Sequence, residues 1–597
     1  MASYTAPLRD MQFVLTELAG LPEVSRLPGC AEVTPELAEA VLEAAAKFAA
    51  EVLAPLNQPG DQEGCRYKNG EVTTPKGFKE AYTRYVADGW NALSLSAEYG
   101  GQGLPQVVSA PVHEMWQAAN MSYALCSLLT QGAVEALLLT GSDALKKRFL
   151  PKMISGEWTG TMNLSEPQAG SDLAAVRCRA VREGEHYRLS GQKIFITYGE
   201  HDWTGNIIHM VLARTPDAPA GVKGISMFVV PKVLVNEDGS LGARNDVHCA
   251  SIEHKLGIHA SPTAVMSYGE KQGAIGYLIG EENHGLEYMF IMMNMARFSV
   301  GVQGLGIAER AWQQSRDYAK ERVQGADVSV RHGEPVTIIH HPDVRRMLMS
   351  MKARVEAMRA IAYVTARQLD RAMCAADKQE RDQAQAFVDL MIPVVKGWCT
   401  ENAVDIASVG VQVHGGMGYI EETGAAQYYR DARISTIYEG TTGIQAKDLI
   451  GRKIARDQGM TVKALVAEMR RLDAELAKAS GEDLKAIRVR LTAGINALEE
   501  SVHWLVANYA ANVKAAAAGA VPFLMLLGTV AGGWQMARAA LVAQQKLGKA
   551  DADAAFYKAK IGTARFYADY ELGKAPALKE SIVAGASGVL ALSEDQF

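Results

Sequence analysis

The periodicity of the sequence changes near Gly156, and this change constrains the fold more than any other feature. Before it, apolar residues recur at helical spacing, as over residues 41–53, 77–89 and 110–139. After it, short alternating segments separated by glycine predict strands over residues 158–162, 174–181, 186–190, 193–197, 207–213 and 225–230. Short strands at this spacing favour a β-sandwich or barrel. From residue 286 the helical spacing returns, in four long segments that suit an antiparallel bundle.

These changes predict an α+β multidomain protein, and a chain of 597 residues is too long for one core. The predicted parts are an N-terminal extension over 1–33, an α-helical domain over 34–157, a β domain over 158–284, an α-helical bundle over 285–452 and an extra C-terminal helical domain over 457–597.

Charge and cysteine content limit the possible partners. The net charge is −6 and the C-terminal part has nearly equal numbers of acidic and basic residues, so we expect no nucleic-acid binding. The seven cysteines are dispersed without a Cys-x-x-Cys pair, which indicates neither a metal site nor a disulfide framework. The N-terminus lacks the pattern of a secretory signal, so we expect a cytoplasmic protein.

One uncharged stretch, residues 515–537, needs a separate interpretation. Its only proline is Pro522, it contains several glycines, and its strongest apolar block covers residues 521–527 alone. A membrane span needs about 20 mainly apolar residues. We therefore predict a buried helix pair that is broken near Gly532, and no transmembrane segment.

A single carboxylate, Glu439, lies between Tyr438 and Gly440. The Glu-Gly pair predicts a loop in which backbone and carboxylate come close to a ligand. A carboxylate in an apolar setting has a raised pKa and is a better base near neutral pH. The same pattern is also typical of a solvated helix end, so these residues alone leave both interpretations open.

Four segments in order extend this interpretation. They are Asn163–Asp172 (NLSEPQAGSD), Gly191–Thr197 (GQKIFIT), Gln412–Tyr419 (QVHGGMGY) and Arg430–Gln445 (RDARISTIYEGTTGIQ). In this order and spacing the chain resembles the acyl-CoA dehydrogenase family of flavoproteins over about residues 35–450. Its length and C-terminal extension resemble the longer branch, which includes methylmercaptopropionyl-CoA dehydrogenases and bacterial fatty-acyl-CoA dehydrogenases.

The resemblance implies FAD as cofactor, with Phe195 and Thr197 beside the flavin ring and Thr197 bonded to flavin N5. Arg322 resembles the arginine that reaches the FAD of a neighbouring subunit, so a homodimer or a dimer of dimers is implied. The segment after Arg322 is one residue shorter than in the family and lacks its Phe, which leaves the adenine contact open. The other implied cofactor contacts are Met162, Leu164, Ser165, Gly170, Ser171, Gln412, Gly415, Gly416, Thr441 and Gly443.

The resemblance also implies a reaction. Glu439 would remove the α-proton of a thioester held by its own backbone N–H, the β-hydrogen would leave as hydride to the flavin, and the product would be a trans-2-enoyl-CoA. Ala296 occupies the position at which some relatives place the base, so the base is expected at Glu439. The implied substrate contacts are Ser171, Asn294, Arg297, Tyr438 and Gly440. The implied electron acceptor is an electron-transfer flavoprotein, as in fatty acid β-oxidation.

Three alternatives stay open at this point. Small and apolar Ala124 and Leu128, on the helix that would form the pocket floor, favour a medium- or long-chain acyl-CoA, but a short thioether substrate, 3-methylmercaptopropionyl-CoA, is the alternative. An acyl-CoA oxidase would pass its electrons to oxygen. A flavin-binding, nucleic-acid-associated relative would not be a dehydrogenase, and the balanced charge of residues 457–597 argues against it.

Overall fold

The computed structural model describes residues 4–549 and 553–597. Most of the chain is helical, as the long apolar periodicities predict. The helices are α1 Leu8–Phe13, α2 Pro35–Phe48, α3 Ala54–Glu63, α4 Phe78–Ala87, α5 Gln106–Ala119, α6 Met121–Thr140, α7 Asp143–Ser155, α8 Gly285–Glu321, α9 Pro342–Cys374, α10 Lys378–His414, α11 Ala425–Ala432, α12 Thr442–Asp448, α13 Met460–Leu476, α14 Glu482–Asn508, α15 Val513–Ala518, α16 Ala520–Leu547, α17 Ala554–Tyr570, α18 Ala575–Ala584 and α19 Ala586–Val589.

The strands concentrate between residues 158 and 279. They are β1 Arg66–Lys68, β2 Glu71–Thr73, β3 Trp158–Asn163, β4 Arg179–Glu183, β5 His186–Thr197, β6 Asn206–Ala213, β7 Ser226–Pro231, β8 Val233–Val235, β9 Leu241–Arg244, β10 Val247–Ile252, β11 Thr263–Tyr268, β12 Ala274–Ile279, β13 Val323–Ala326 and β14 Pro335–Thr337.

The chain divides into two compact units. Unit one contains the chain up to Lys47, Pro105–Ala118 and Val300–Phe597. Unit two contains Phe48–Leu104 and Ala119–Ser299. Helix α8 therefore begins in unit two and ends in unit one.

Unit two is built on one eight-stranded sheet. Its order is β10-β11-β5-β12-β7-β6-β3, with β4 also paired to β5, and only β3 and β6 run parallel. Helix α6 packs against β3 and both are almost wholly buried, which explains their near-continuous apolar sequences. The predicted fold class, helical regions around a central β domain, is confirmed.

Two details of the predicted strands are wrong. Residues 186–190 and 193–197 do not form two strands, because β5 runs through Gly191 without a turn. Gly191 has a φ of +139°, and a Cβ there would lie 3.0 Å from the Cα of Cys178. The glycine is needed for this backbone conformation and this close approach. The strand predicted over 174–181 also begins only at Arg179, after a short 3₁₀ turn over Leu173–Ala175.

Unit one is helical, and its longest helices are α9, α10 and α16. The predicted helix break near Gly532 is wrong, because α16 continues to Leu547 and the break lies at Gly519. A Cβ on Gly532 would lie 2.5 Å from the Tyr567 hydroxyl, and one on Gly533 would lie 2.5 Å from Leu572. These glycines let α17 and the turn after it pack closely on α16.

A buried ion cluster joins the two ends of the chain to the bundle. Arg359 of α9 donates to Asp10 at 2.6 Å, to Glu114 at 2.5 Å and to Glu309 at 2.7 Å. Lys560 of α17 also pairs with Asp10. Asp10 lies in α1, so this ion cluster anchors the helical segment that begins at Leu8 in unit one.

Two helices, Met121–Thr140 and Ala520–Leu547, are long and apolar enough to cross a membrane by length and composition alone. Of the most apolar 18-residue window of each helix, 72% and 78% is buried in the protein. Such burial is typical of core helices, since a membrane span would present its apolar surface to lipid.

Candidate active site

Glu439 lies in a tight turn between two short helices of unit one. The chain passes through a 3₁₀ turn over Arg433–Thr436, and α12 begins at Thr442. Glu439 has a φ of +54° and Gly440 a φ of +85°. A left-handed conformation is uncommon for a residue with a side chain and often marks a functional site. The turn leaves the Glu439 side chain half-buried, as a base near a ligand requires.

The side chain of Gln445 stabilises this turn by hydrogen bonds to its backbone. Its amide nitrogen donates to the carbonyl oxygens of Glu439 at 3.2 Å and Gly440 at 3.4 Å. Gln445 is fully buried, and its Oε1 has no hydrogen-bond partner among the described residues. The sequence predicts no role for Gln445, because an amide in the first turn of a helix has no distinguishing pattern.

Tyr438 is tied to two other helices of unit one. Its hydroxyl donates to Oε1 of Gln303 in α8, and the Gln303 amide donates to Gln117 of α5 at 2.9 Å. Burial, together with the nearby charge of Glu439, raises the pKa of Tyr438 well above its usual value. The phenol is therefore neutral, and it fixes the start of the Glu439 turn.

Thr441 and Gly443 follow on the same turn. The Thr441 side chain caps α12 by accepting from the N–H of Ile444 at 3.3 Å. Gly443 is half-buried in the first turn of that helix. The predicted residues of this segment are thus half-buried and lie at the N-terminus of α12: Tyr438, Glu439, Gly440, Thr441 and Gly443.

A second predicted group lies where α8 and α10 end in unit one. Arg322 is exposed after the last turn of α8, and Gln412, Gly415 and Gly416 are exposed at the end of α10. The rings of Tyr318 and His414 stack with their centroids 4.3 Å apart, which brings the two helix ends together. A Cβ on Gly415 or Gly416 would meet nothing within 4 Å, so a ligand or partner can approach this backbone.

In unit two the loop after β3 is held by a buried ion pair. Nζ of Lys193 lies 2.8 Å from Glu166 Oε1 and 3.0 Å from the carbonyl oxygen of Leu164, and both side chains are almost inaccessible to solvent. Glu166 also accepts from the N–H groups of Arg177 at 2.7 Å and Cys178 at 3.0 Å. Burial by itself would raise the pKa of Glu166, but Lys193 and these N–H groups hold it below its usual value.

This pair fixes the predicted cofactor residues of the loop. Leu164 is bound directly, and the carbonyl of Ser165 accepts from the N–H of Ile194 at 2.9 Å, beside Phe195. Further along, Gly170 and Ser171 are exposed. Both charged residues belong to the quoted motifs, yet their pairing was missed. The available signal was a lysine at an inward position of an alternating strand, since such a lysine needs a carboxylate partner.

A chain of neutral polar groups supports β3 from the other side. Thr161 bonds to Nδ1 of His209 at 2.7 Å, Asn163 donates to Thr161 at 2.8 Å, and Tyr268 donates to Asn163 at 2.7 Å. Burial lowers the pKa of His209 to about 3, so the imidazole is neutral. This network fixes the end of β3 without adding charge next to Met162.

Phe195 and Thr197 end β5. Phe195 is 61% exposed and has a φ of +61°, whereas Thr197 is half-buried and lies opposite Thr263 in the sheet. A large aromatic side chain exposed on a strand is unusual and provides a stacking surface.

The predicted CoA contacts lie in the first half of α8, in unit two. Asn294 is exposed, and Arg297 is 5% exposed. Ala296, between them, belongs to the same core cluster as Met162, with Leu164 packed against it. The first half of α8 thus shares the core of unit two with the end of β3.

These residues fit the FAD that the resemblance implies. Phe195 offers an exposed ring, Met162 is an apolar residue near the end of β3, and a Cβ on Gly170 would meet nothing within 4 Å. FAD would be held in unit two by the loop after β3 and the end of β5.

Four family models match the chain. The acyl-CoA dehydrogenase N-terminal domain matches residues 35–157, the middle domain 161–269 and the C-terminal domain 283–455. A model described as acetyl-CoA dehydrogenase C-terminal like matches residues 462–593.

Two curated relatives are similar along nearly the whole chain. The 3-methylmercaptopropionyl-CoA dehydrogenase of Ruegeria pomeroyi is 51% identical over 571 residues, which are 96% of each chain. The broad-specificity linear acyl-CoA dehydrogenase FadE5 of Mycobacterium tuberculosis is 32% identical over the full length of both.

The fold is also that of a solved relative. The acyl-CoA dehydrogenase complexed with FAD from Bacillus anthracis is 21% identical, has a TM-score of 0.74, and the match covers 98% of this chain and 93% of that one. On the family models and the two relatives, this chain belongs to the acyl-CoA dehydrogenase family and is an FAD-dependent oxidoreductase that acts on acyl-CoA.

Proposed function

We propose that this enzyme introduces a double bond between the α- and β-carbons of 3-methylmercaptopropionyl-CoA, with Glu439 as the base. The observation that supports this substrate is the 51% identity, over 96% of both chains, with the Ruegeria pomeroyi enzyme of that name. The proposal reverses the preference for a longer alkyl chain that Ala124 and Leu128 suggested. Both residues are buried in unit two, and Leu128 packs in the core cluster beside β3, so neither is a strong indicator of pocket depth.

Each predicted residue then has a role. The Glu439 carboxylate removes the proton from the α-carbon, and the backbone N–H of Glu439 polarises the thioester carbonyl, as in an oxyanion hole. Gln445 and Tyr438 position the turn, while Gly440, Ser171, Asn294 and Arg297 bind the substrate. FAD, when bound, would supply the two-electron acceptor for the hydrogen that leaves the β-carbon as hydride. The residues of the chain itself position the thioester and supply the negative charge of the base.

The turn geometry is compatible with this role. The Glu439 side chain is half-buried, so it reaches a ligand while part of its hydration is lost. Because Glu439 has a positive φ, its backbone N–H and its side chain do not point in the directions that a regular helix would give them. Gln445 binds both carbonyls of the turn, so this conformation is fixed before the substrate arrives.

A linear acyl-CoA is the second candidate substrate. It is supported by the full-length similarity to FadE5, whose name states broad specificity for linear acyl-CoA. The two candidates are separated by kcat/KM for 3-methylmercaptopropionyl-CoA, butyryl-CoA and dodecanoyl-CoA with a dye as electron acceptor. We expect the thioether substrate to be preferred at least tenfold over both. A preference for dodecanoyl-CoA would contradict the proposed substrate but leave the reaction class intact.

We further propose a cytoplasmic homodimer that passes its electrons to an electron-transfer flavoprotein. Support for the dimer comes from the end of α10, where Met417 is 47% exposed, Tyr419 86% and Ile420 45%, beside the predicted partner-FAD residues Arg322 and Gln412. Exposed apolar patches of this kind mark interaction sites. Light scattering should give twice the chain mass, and Tyr419→Lys should lower it. A wild-type monomer that holds FAD would refute the dimer.

A further inference from the structure

Two cysteines that are far apart in the sequence meet in unit one. Cys30 lies before α2 and is buried, whereas Cys374 is the last residue of α9 and is half-buried. The thiol of Cys30 makes a side-chain hydrogen bond to the thiol of Cys374. A disulfide needs two cysteine side chains that already face each other, because a bond made by moving the backbone stores strain. No spacing pattern in the sequence indicates this pair, since the two residues come together only on folding.

The segment that carries Cys30 follows the second half of α9. Earlier in this segment, Leu18 lines the same groove as Gln368 of that helix. Both backbone groups of Cys30 are bonded within the segment. Its N–H donates to the carbonyl of Leu27 and its carbonyl accepts from the N–H of Val33, each at 3.0 Å. The fold itself therefore holds Cys30 against the end of α9 while both thiols are reduced.

The two thiols differ in access to solvent and in acidity. Cys374 follows Met373, which is 62% exposed, so a small oxidant reaches the end of α9. Burial raises the pKa of Cys30 to about 11 and also raises the pKa of Cys374, whereas the hydrogen bond from Cys30 lowers the pKa of Cys374. The Asp370 carboxylate raises the pKa of both thiols, and Arg367 opposes this at Cys30. Cys374 is thus the thiol that ionises first, and the thiolate is the reactive form.

We propose that Cys30 and Cys374 form a reversible disulfide when the enzyme meets hydrogen peroxide. The Cys374 thiolate attacks one peroxide oxygen, the O–O bond breaks, and the hydroxide that leaves takes up the proton lost by Cys374 and becomes water. The sulfur of Cys30 then attacks the sulfur of the Cys374 sulfenic acid. The S–S bond forms, the S–O bond breaks, and a second water leaves with the proton of Cys30. Two thiols lose two electrons, and one peroxide gains them.

The disulfide ties the residues before α2 to a junction of two helices. One turn before Cys374, the Asp370 carboxylate accepts from the N–H groups of Gln106 at 2.6 Å and Val107 at 2.9 Å, at the start of α5. The cross-link is therefore made where the residues before α2, the end of α9 and the start of α5 lie together in unit one. A cross-link stabilises mainly by restricting the unfolded chain, and more so when the joined residues are distant in sequence. Oxidation thus stabilises unit one.

The test treats the full-length, FAD-loaded enzyme with hydrogen peroxide at about pH 8.5, where more of Cys374 is ionised than at neutral pH. Peptide mapping by mass spectrometry without reductant should show the peptides of Cys30 and Cys374 joined, with the other cysteines free. Dithiothreitol should restore both thiols. The oxidised enzyme should unfold at a Tm about 5 °C or more above that of the reduced enzyme.

Matched variants separate the two steps of the reaction. Cys30→Ser cannot form the bond, so peroxide should leave the Cys374 sulfenic acid, which dimedone traps, and should no longer raise the Tm. Cys374→Ser should lose both the bond and the dimedone adduct. Cys65→Ser removes the other half-buried cysteine, in unit two, and should form the disulfide as the wild type does. A wild-type Cys374 that stays free or collects dimedone without joining Cys30, or a Cys30 that joins another cysteine, would overturn the proposal.

Discussion

Replacing Lys193 by Met should destabilise unit two by about 3 kcal/mol at neutral pH. The substitution preserves most of the side-chain volume but leaves the Glu166 carboxylate buried without its cation. Removing one partner of a buried ion pair costs about 3–5 kcal/mol. The lower end applies here, because Glu166 keeps the N–H groups of Arg177 and Cys178. For a domain of 150–250 residues each kcal/mol lowers Tm by about 2–4 °C, so we expect a decrease of roughly 6–12 °C.

The pH dependence of this loss has a defined sign. The pKa of Glu166 is lowered in the folded protein, so its contribution to stability is complete above the unfolded value of about 4.3 and is lost as the pH falls below it. In Lys193→Met the lowering by Lys193 is gone, and burial then favours the neutral acid. The difference in stability between the two proteins should therefore shrink between pH 7 and pH 4.5.

The assay is thermal unfolding of the FAD-loaded protein at several pH values, followed by far-UV circular dichroism and by release of flavin fluorescence. The matched control is Glu183→Gln, which removes a solvent-exposed pair with Arg188 in the same sheet. Exposed pairs contribute about 0–1 kcal/mol, so its Tm should change little. A Lys193→Met protein that unfolds and releases flavin within 2 °C of Glu183→Gln at pH 7 would refute the reasoning.

Three other substitutions test separate parts of the structure. Gln445→Leu removes the amide nitrogen that donates both hydrogen bonds to the Glu439 turn, and it should lower kcat by about tenfold or more with FAD content unchanged, as measured by kinetics and flavin absorbance; an unchanged kcat would contradict the positioning role. Gly532→Ala should destabilise by about 1–3 kcal/mol, because its Cβ would lie 2.5 Å from the Tyr567 hydroxyl, whereas Gly562→Ala, with open space in α17, should be neutral or stabilising in the same denaturation experiment. Asp10→Asn removes the carboxylate that Arg359 and Lys560 share in the buried ion cluster. These two cations lower the pKa of Asp10 against the effect of burial, so the carboxylate contributes to the free energy of unfolding of the wild type above about pH 4 and this contribution is lost as the pH falls further. The free energy of unfolding of the variant should not show that loss when both proteins are denatured at several pH values.

The sequence predicts most of the elements because their signals are local. Apolar spacing identifies the long helices, and alternation identifies the first strands, as both depend on which face of an element is buried. After residue 230 no individual strand is predicted from the sequence, whereas β10, β11 and β12 complete the sheet. Each of these strands is only six residues long, and β12 (AIGYLI) does not alternate apolar and polar residues, so the local signal for them is weak.

The failures concern residues whose role depends on a distant partner. From the sequence, Gly191 predicts a turn and Gly532 predicts a helix break. In the structure each glycine instead allows a close approach, Gly191 to Cys178 and Gly532 to Tyr567. Gln445 and Lys193 are similar cases, because an amide below a turn and an inward lysine acquire their roles only when the chain folds. The candidate site residues are predictions from the family resemblance, which rests on the order and spacing of four motifs.

The base at Glu439 is the central claim, and an anaerobic single-turnover experiment tests it most directly. The FAD-loaded enzyme and its Glu439→Gln variant are each mixed with 3-methylmercaptopropionyl-CoA, and the flavin absorbance is followed with time. We predict rapid bleaching in the wild type and a rate at least a thousandfold lower in the variant, although the variant still holds FAD and binds the thioester. Bleaching of the Gln variant at the wild-type rate would show that another residue removes the proton.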